Sequence, residues 1–422
     1  MPSTNPHPQL LHGLRRMTGR DVHEPERAAT PLELLYDLTV VVAFSVSGGL
    51  FAHAIAFGHP VQGVVAFAFS CFAIVWAWIS YTWFASAYDT DDWLMRLGTL
   101  VQMVGIVVIA LGLPQLFHSF EAWELHNQIM VAGYVTMRLS MATLWWRASK
   151  DDPTHRVTLR RYVWITLLAQ GGWVVVALTH LPWLVLLPVL VALYALELGA
   201  AWSSERGRPL PWHPHHIAER FGLLAIISLG EIVLGTTVAV QALVDHQGWS
   251  WDAVLVIAAG ISIAFGLWWV YFGLPLGEAL ALQPERGMRF GLCHLALYGS
   301  IAAVGAGLHV AAYFVERANG TTIGLLGTVL SIAIPLALCI GLAYWVTHLL
   351  LPGRDGLHTL LLVVSGVVIA VGVGLALVGA PLGVCVIVLM VVPWISVVGY
   401  ETRGHGHLQR VLDRIREERA TA

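Results

Sequence analysis

Charge is what this sequence has least of, and its scarcity decides the class of protein. Asp, Glu, Lys and Arg make up only 12% of the 422 residues, against 57% that are apolar. A mean hydropathy of +0.72 lies well outside the range of water-soluble domains. Cysteine is scarce as well. Cys71, Cys293, Cys339 and Cys385 show none of the short spacings that metal or redox chemistry needs, so they read as small core residues. No basic patch interleaved with aromatic residues is present, which excludes nucleic acid as a partner. The first 30 residues are polar. No cleavable signal peptide is expected there, and the first apolar run must serve as the insertion signal. Arg15-Arg16 is not followed promptly by an apolar run, which argues against a twin-arginine export signal.

What remains is a series of apolar stretches, each close to the roughly 20 residues that cross a hydrocarbon core as a helix. Twelve are expected: Leu32–Ala56, Val61–Phe84, Trp93–Leu116, Trp123–Trp146, Tyr162–Thr179, Trp183–Trp202, Ile217–Leu243, Trp251–Phe272, Phe290–Val315, Thr322–Leu350, Leu357–Val378 and Pro381–Gly399. The scarce positive charges check that count independently. Of 23 Lys and Arg residues, 21 fall on one side if there are twelve spans. They precede span 1 (Arg15, Arg16, Arg20, Arg27), open span 3 (Arg96) and fill the loop after span 4. They recur between spans 6 and 7, 8 and 9, and 10 and 11 (Arg206, Arg286, Arg354 among them), and they close the chain. Only Arg138, inside a span, and Arg317, on the far side, depart. The positive-inside rule then places both termini in the cytoplasm and the protein in the cytoplasmic membrane. The expected fold is an all-α polytopic bundle. Asn319-Gly320-Thr321 is a glycosylation sequon on the outer face, of consequence only in a secretory-pathway host.

Two halves of six spans are suggested by a weak internal repeat. Glu33 and Glu219 open spans 1 and 7, Trp78/Tyr81 and Trp268/Tyr271 mark spans 2 and 8, and Arg96-Leu97-Gly98 and Arg289-Phe290-Gly291 open spans 3 and 9. The corresponding division is an N-terminal tail (1–31), a first half (32–202), a linker (203–216), a second half (217–399) and a tail (400–422). Such halves would be parallel, as in many secondary transporters. Chance recurrence of similar helix starts is the alternative. In the tail, Leu408, Val411, Leu412 and Ile415 have helical spacing with basic neighbours, a pattern expected along the inner leaflet.

Ionisable residues inside spans are costly, near 2.5–3.5 kcal/mol each on insertion scales, and are functional candidates by default. Asp37, Arg138, Glu197 and Glu231 all fall well inside. Glu33 and Asp37 are four apart, so they share one face of span 1 and need a cation or proton between them. Arg138, read as the sole cation deep in any span, is the expected partner, chiefly of Asp37. Glu219 and Arg220 at the start of span 7, and His294 one turn into span 9, would complete an inner polar ring. A salt-bridge network that merely fixes helix packing would look the same. Glu231, in Ser228-Leu229-Gly230-Glu231, lies near mid-membrane with no cation at its depth, and Ser45-Val46-Ser47-Gly48-Gly49 is a similar weak point in span 1. A carboxylate so placed suits proton or cation relay.

Two loops add candidates. Asp89, Asp91 and Asp92 precede span 3, where they can cap its first turn and pair with Arg96 or else capture a cation. His215, His216 and Glu219 have the residue types of a zinc site, although His213-Pro214 equally suits a simple helix start. His309 and His348, near opposite ends of their spans, are expected to be packed.

Pro31-Leu32-Glu33-Leu34-Leu35-Tyr36-Asp37-Leu38, the Tyr88–Asp92 loop and His216-Ile217-Ala218-Glu219-Arg220-Phe221-Gly222-Leu223 through Leu229-Gly230-Glu231 resemble the low temperature requirement A (LtrA) family of bacterial membrane proteins. Trp268-Trp269-Val270-Tyr271-Phe272 and the His294 segment fit the same pattern, and the resemblance runs from about residue 30 to 400. Leu35-Tyr36 stands where the family often has two Phe. The resemblance implies that Glu33, Asp37, Glu219, Arg220 and Glu231 are the important set, and it names no substrate. The expectation is a proton- or cation-coupled transporter of a small solute or ion, without a cofactor, with membrane lipids as partners and homo-oligomerisation left open. An intramembrane enzyme acting on a lipid-linked substrate and a non-transporting sensory or stress protein are the alternatives.

Overall fold

Proline and short polar side chains set where the helices begin. Thr30 and Glu33 form a reciprocal capping box, with Pro31 at the first helical position, and start α1 (Pro31–Ala56). Pro60 starts α2 (Pro60–Tyr88), Asp92 caps α3 (Trp93–Glu121), Pro214 starts α7 (Pro214–Gln247), and Ser250 caps α8 (Trp251–Phe272). The remaining long helices are α4 (Gln128–Asp151), α5 (Arg156–Leu178), α6 (Trp183–Glu205), α10 (Gly287–Glu316), α11 (Leu325–Leu350), α12 (Gly356–Leu377) and α13 (Leu382–Gly399). A short α9 (Leu276–Leu282) follows α8, and α14 (His405–Thr421) ends the chain. This computed structural model describes residues 13–21, 27–179, 181–205, 207–317, 320–352 and 356–421, and among them there is no β-strand. Arg206, Arg354 and Asn319 lie outside the described residues.

Eleven of these segments are long and apolar enough to cross a membrane. The twelfth long helix, α4, is the more polar one, because it carries Arg138 and a basic last turn. It nonetheless runs antiparallel to α3 along its whole length, with Gly112 against Met130, Gly105 against Met137 and Gly98 against Leu144. Leu184, Leu178, Leu168, Leu111 and Val378 project outward from the bundle, the arrangement a lipid solvent requires.

At the centre, α1, α7 and α10 run parallel. Ser45 meets Glu231, Gly49 faces His309, and Gly235 abuts Gly305. Small residues permit that approach. A methyl group on Gly305 would collide with the Glu231 carbonyl oxygen, and one on Gly235 with the Gly305 carbonyl oxygen. The cysteines are unpaired, three of them buried and Cys293 half-buried.

α14 departs from its expected role. Its apolar stripe Leu408, Val411, Leu412 and Ile415 is buried against the protein, and Arg416 and Arg419 pair with Glu278 and Glu285 beside α9. A stripe already covered by its own chain is not free for lipid. The short helix α9, which hydropathy alone cannot separate from α8, supplies part of that cover.

Gly305→Ala should disrupt the α7–α10 contact, with overpacking costs of about 1–3 kcal/mol. The readout is the thermal midpoint of purified protein in detergent. Gly366→Ala, where nothing lies within 4 Å of the added methyl, should leave the midpoint unchanged or raise it slightly.

Candidate functional site

Asp37 and Arg220 each lie six residues beyond the first residue of their helices, Pro31 and Pro214. At 1.5 Å per residue that is about 9 Å inward. Because α1 and α7 are parallel, the two residues stand level. The Arg220 guanidinium is fully buried and lies 2.6 Å from Asp37 Oδ1 and 2.9 Å from Glu33 Oε1. Trp78 Nε1 donates to the same Asp37 oxygen at 2.7 Å, and the Arg220 guanidinium sits over the Trp78 ring. His216, one turn before Arg220, lies 3.3 Å from Glu33 Oε1. Thr30 N–H donates to Glu33 Oε2 at 2.8 Å. Arg27 extends the cluster toward the loop. It reaches Asp89 at 3.2 Å and donates to the carbonyls of Ala85 and Ser86, both at 2.7 Å. Three carboxylates thus face two guanidiniums and one imidazole, so the group is neutral when His216 carries a proton.

This corrects the expected partner of Asp37. α7 begins at Pro214, three residues before the apolar run suggests, which turns Arg220 from an opening residue into a buried one. Arg138 belongs to a second cluster. Its Nη2 lies 3.4 Å from Glu197 Oε2, and its Nη1 donates to Ser80 at 2.7 Å. Glu197 also accepts from Tyr134 (2.6 Å), Trp173 (3.0 Å) and Gln170 (3.3 Å). The physical reason for the separation is adjacency: α4 packs on α3, α5 and α2, whereas α1 packs on α2, α3, α7 and α10, so α2 and α3 stand between α1 and α4. Equal depth did not mean contact.

Other expected members also separate. Glu219 is exposed and, among the described residues, accepts from the Ala29 N–H at 3.2 Å, so it stands outside the buried cluster around Arg220. His215 and Glu219, four apart, share that exposed face, while His216 turns inward, and the three do not converge on a metal. Among the described residues no group of His, Cys, Asp and Glu does so. His294 is buried in an aromatic layer. Its Nδ1 is 2.8 Å from the Phe290 carbonyl oxygen and its Nε2 is 3.0 Å from the Tyr271 hydroxyl, with Phe221 and Tyr298 around the ring. It is thereby set apart from the charges by Phe221 and Tyr298, which themselves pack on Trp78.

The acidic loop does what its position suggests. Asp92 caps α3 through Met95 N–H (3.0 Å) and pairs with Arg147, which packs it against Arg15. Asp91 holds Arg96 through two bonds of 2.9 and 3.0 Å at the surface. Burial would raise the Asp92 carboxyl, but the Arg147 hydrogen bond and the Met95 and Arg15 N–H groups outweigh it and hold the carboxyl below the usual range. Burial keeps Asp89 above it.

Glu231 is the exception among the buried acids. It lies halfway along α7, nearly enclosed, and the Ser45 hydroxyl donates to it. Gly48 lies beside its other oxygen, and no cation contacts it among the described residues. Sequence reasoning missed Trp78, His216 and Arg27 as partners of the α1 carboxylates, and the Tyr134–Gln170–Trp173 ring around Glu197. Polar side chains such as Gln170 inside an apolar run were the available signal.

A multi-pass α-helical membrane protein with charge clusters buried between its helices is thereby defined. The chain matches the family described as bacterial low temperature requirement A protein (LtrA) over residues 28–393. It belongs to that family. It is also 25% identical over 248 residues to uncharacterized protein RA0937 of Rhizobium meliloti (strain 1021), a match covering 57% of each chain. No solved structure matches.

Two outcomes test the site. Arg220→Leu strands two carboxylates and should cost about 3–5 kcal/mol, part of it recovered on adding Asp37→Leu. Arg138→Leu and Asp37→Leu should instead be additive within about 0.5 kcal/mol. Detergent unfolding midpoints of the double-mutant cycles decide between coupling and independence. For Asp92, a depressed folded pKa means stabilisation that is complete above the unfolded value of about 3.9 and lost as pH falls below it. The midpoint difference between wild type and Asp92→Asn should be constant from pH 7 to about 5 and shrink in more acidic buffer.

Proposed function

We propose that this LtrA-family protein is a proton- or cation-coupled secondary transporter of the cytoplasmic membrane, with both termini in the cytoplasm. Glu231 carries the reading. A carboxylate at mid-membrane with one neutral hydroxyl for a partner is expensive unless it binds a proton or cation during its working cycle. Its neighbours, Ser45 and Gly48, belong to the other central helix, so a change of charge there acts directly on the α1–α7 contact. The Glu33–Asp37–Arg220 clamp closes the same two helices nearer the arginine-rich end. A proton or cation arriving at Glu231 and a clamp that can hold or release are the two parts that alternating access needs.

Neighbour relations support two six-helix halves that rock on one another. α1 packs on α2 and α3 as α7 packs on α8 and α10, and α3 packs on α4 as α10 packs on α11. The enzyme alternative finds less support, because His215, His216 and Glu219 diverge and, among the described residues, no other group of His, Cys, Asp and Glu converges as a metal site would.

The test uses the full chain in liposomes loaded with a pH-sensitive dye. Small organic acids, amines, sugars and metal cations are added outside in turn. At least one class should change the lumen pH with wild type, and Glu231→Gln should abolish that response while eluting as a folded species. Absence of solute-driven and voltage-driven proton or cation flux in wild type, or an unchanged response in Glu231→Gln, defeats the proposal.

A further inference from the structure

Five residues beyond the end of α13 break the α-helical register. From Tyr400 to Gly404 the chain forms one π-helical turn, closed by the His405 N–H donating to the Tyr400 carbonyl oxygen five residues back. Single π turns are rare and frequently mark functional sites. A glycine permits this one, since a methyl on Gly404 would lie 2.5 Å from the Tyr400 ring. The Tyr400 hydroxyl in turn meets His358 Nε2 of α12 at 2.7 Å, which fixes the turn against its neighbour.

The turn decides where Arg403 points. In an unbroken α-helix Arg403 would stand about 140° around the axis from Val398. The π turn instead brings it, with Thr402, to the head of a groove between α12 and α13. The groove has a volume of about 630 Å³, and below Arg403 its walls are apolar: Leu357, Leu361, Trp394, Ile395 and Val398, continuing to Val391. From Val391 to Arg403 the helix rises roughly 18 Å, against about 15 Å for the hydrocarbon of one leaflet.

Charge at the head of the groove has one sign. Arg403 forms no ion pair among the described residues. Glu401, the nearest acid in sequence, is turned to Trp269 Nε1 (2.9 Å) and His405 (3.3 Å). No acid lines the groove, so the ammonium of a zwitterionic headgroup would find no carboxylate there. A free guanidinium at the arginine-rich end of the bundle, above an apolar slot one leaflet deep, matches a phosphate that carries an acyl chain.

We infer that this groove holds a phospholipid with an anionic headgroup, its phosphate on Arg403 and Thr402 and one acyl chain along Leu361, Trp394, Ile395 and Val398. The site goes beyond the transporter reading and stands without it, because occupancy needs no flux.

Native mass spectrometry of the delipidated full chain in detergent counts bound lipid, with dioleoylphosphatidylglycerol and dioleoylphosphatidylcholine as probes. One phosphatidylglycerol should be retained at a lipid concentration roughly 5-fold below that needed for phosphatidylcholine, the value of one Arg at headgroup level. Arg403→Gln should remove that preference. Arg410→Gln takes the same charge from α14, outside the groove, and should leave the preference intact. Val398→Trp fills the groove and should weaken retention of both lipids about 10-fold or more. Arg403 and Val398 are both exposed, so neither substitution disturbs the core, and a wild-type elution profile checks each variant. The inference is overturned by equal retention of the two lipids in wild type, by a preference that survives Arg403→Gln or falls equally in Arg410→Gln, or by unchanged retention in Val398→Trp. Displacement of the lipid by inorganic phosphate would assign Arg403 to a free anion and overturn it as well. So would a wild-type dimer that Val398→Trp dissociates, because the groove would then belong to a second copy of the chain.

Discussion

One guanidinium, that of Arg220, holds the centre of this molecule together by answering two carboxylates at once. In hydrocarbon neither Glu33 nor Asp37 can stay ionised alone, and at a spacing of four residues they repel each other across one helix face. Arg220 bridges them from α7, and Trp78 adds a donor from α2. The three helices are thereby locked in register at one end. His216 and Arg27 extend the lock to the loop beyond, so the first helix, the N-terminal segment and the end of α2 share one electrostatic unit. Such a unit specifies an arrangement of helices more than it adds net stability, because burying the ions offsets much of their attraction.

Away from that lock, the same two helices are held differently. Around Glu231 the contact between α1 and α7 consists of a serine hydroxyl, glycines and backbone, with α10 pressed close through Gly305. One end is ionic and the middle is small and neutral. The two helices are thus tied by charge at one end and by the close contact of small residues at mid-depth.

The second polar cluster, around Arg138 and Glu197, sits in a separate layer built by α2, α4, α5 and α6. The indole and phenol rings around it pack as apolar bodies while their N–H and O–H groups serve the buried acid. The two charge clusters are held by different sets of partners and do not share a side chain. α2 is the element common to both, through Trp78 on one side and Ser80 on the other.

Hydropathy and the one-sided distribution of Arg determined by themselves that this is a helical bundle with about twelve long apolar segments, and the cost of charge in hydrocarbon marked Asp37, Arg138, Glu197 and Glu231 as buried groups in need of partners. Those conclusions follow from local composition and from a solvent that tolerates no unmet charge. The partners were another matter. Depth can be counted along a sequence, but azimuth and neighbour cannot: Arg138 and Asp37 look equally deep and lie in different layers, while Arg220 looked peripheral until the true start of α7 turned it inward beside Asp37. The same lack of angular information left zinc open beside a simple helix start for His215, His216 and Glu219, whereas helical rotation sends His216 into the core and leaves the others at the surface. The pairing of charges and the cover over the α14 stripe arise from helices distant in sequence meeting side by side, and only the tertiary structure decided them.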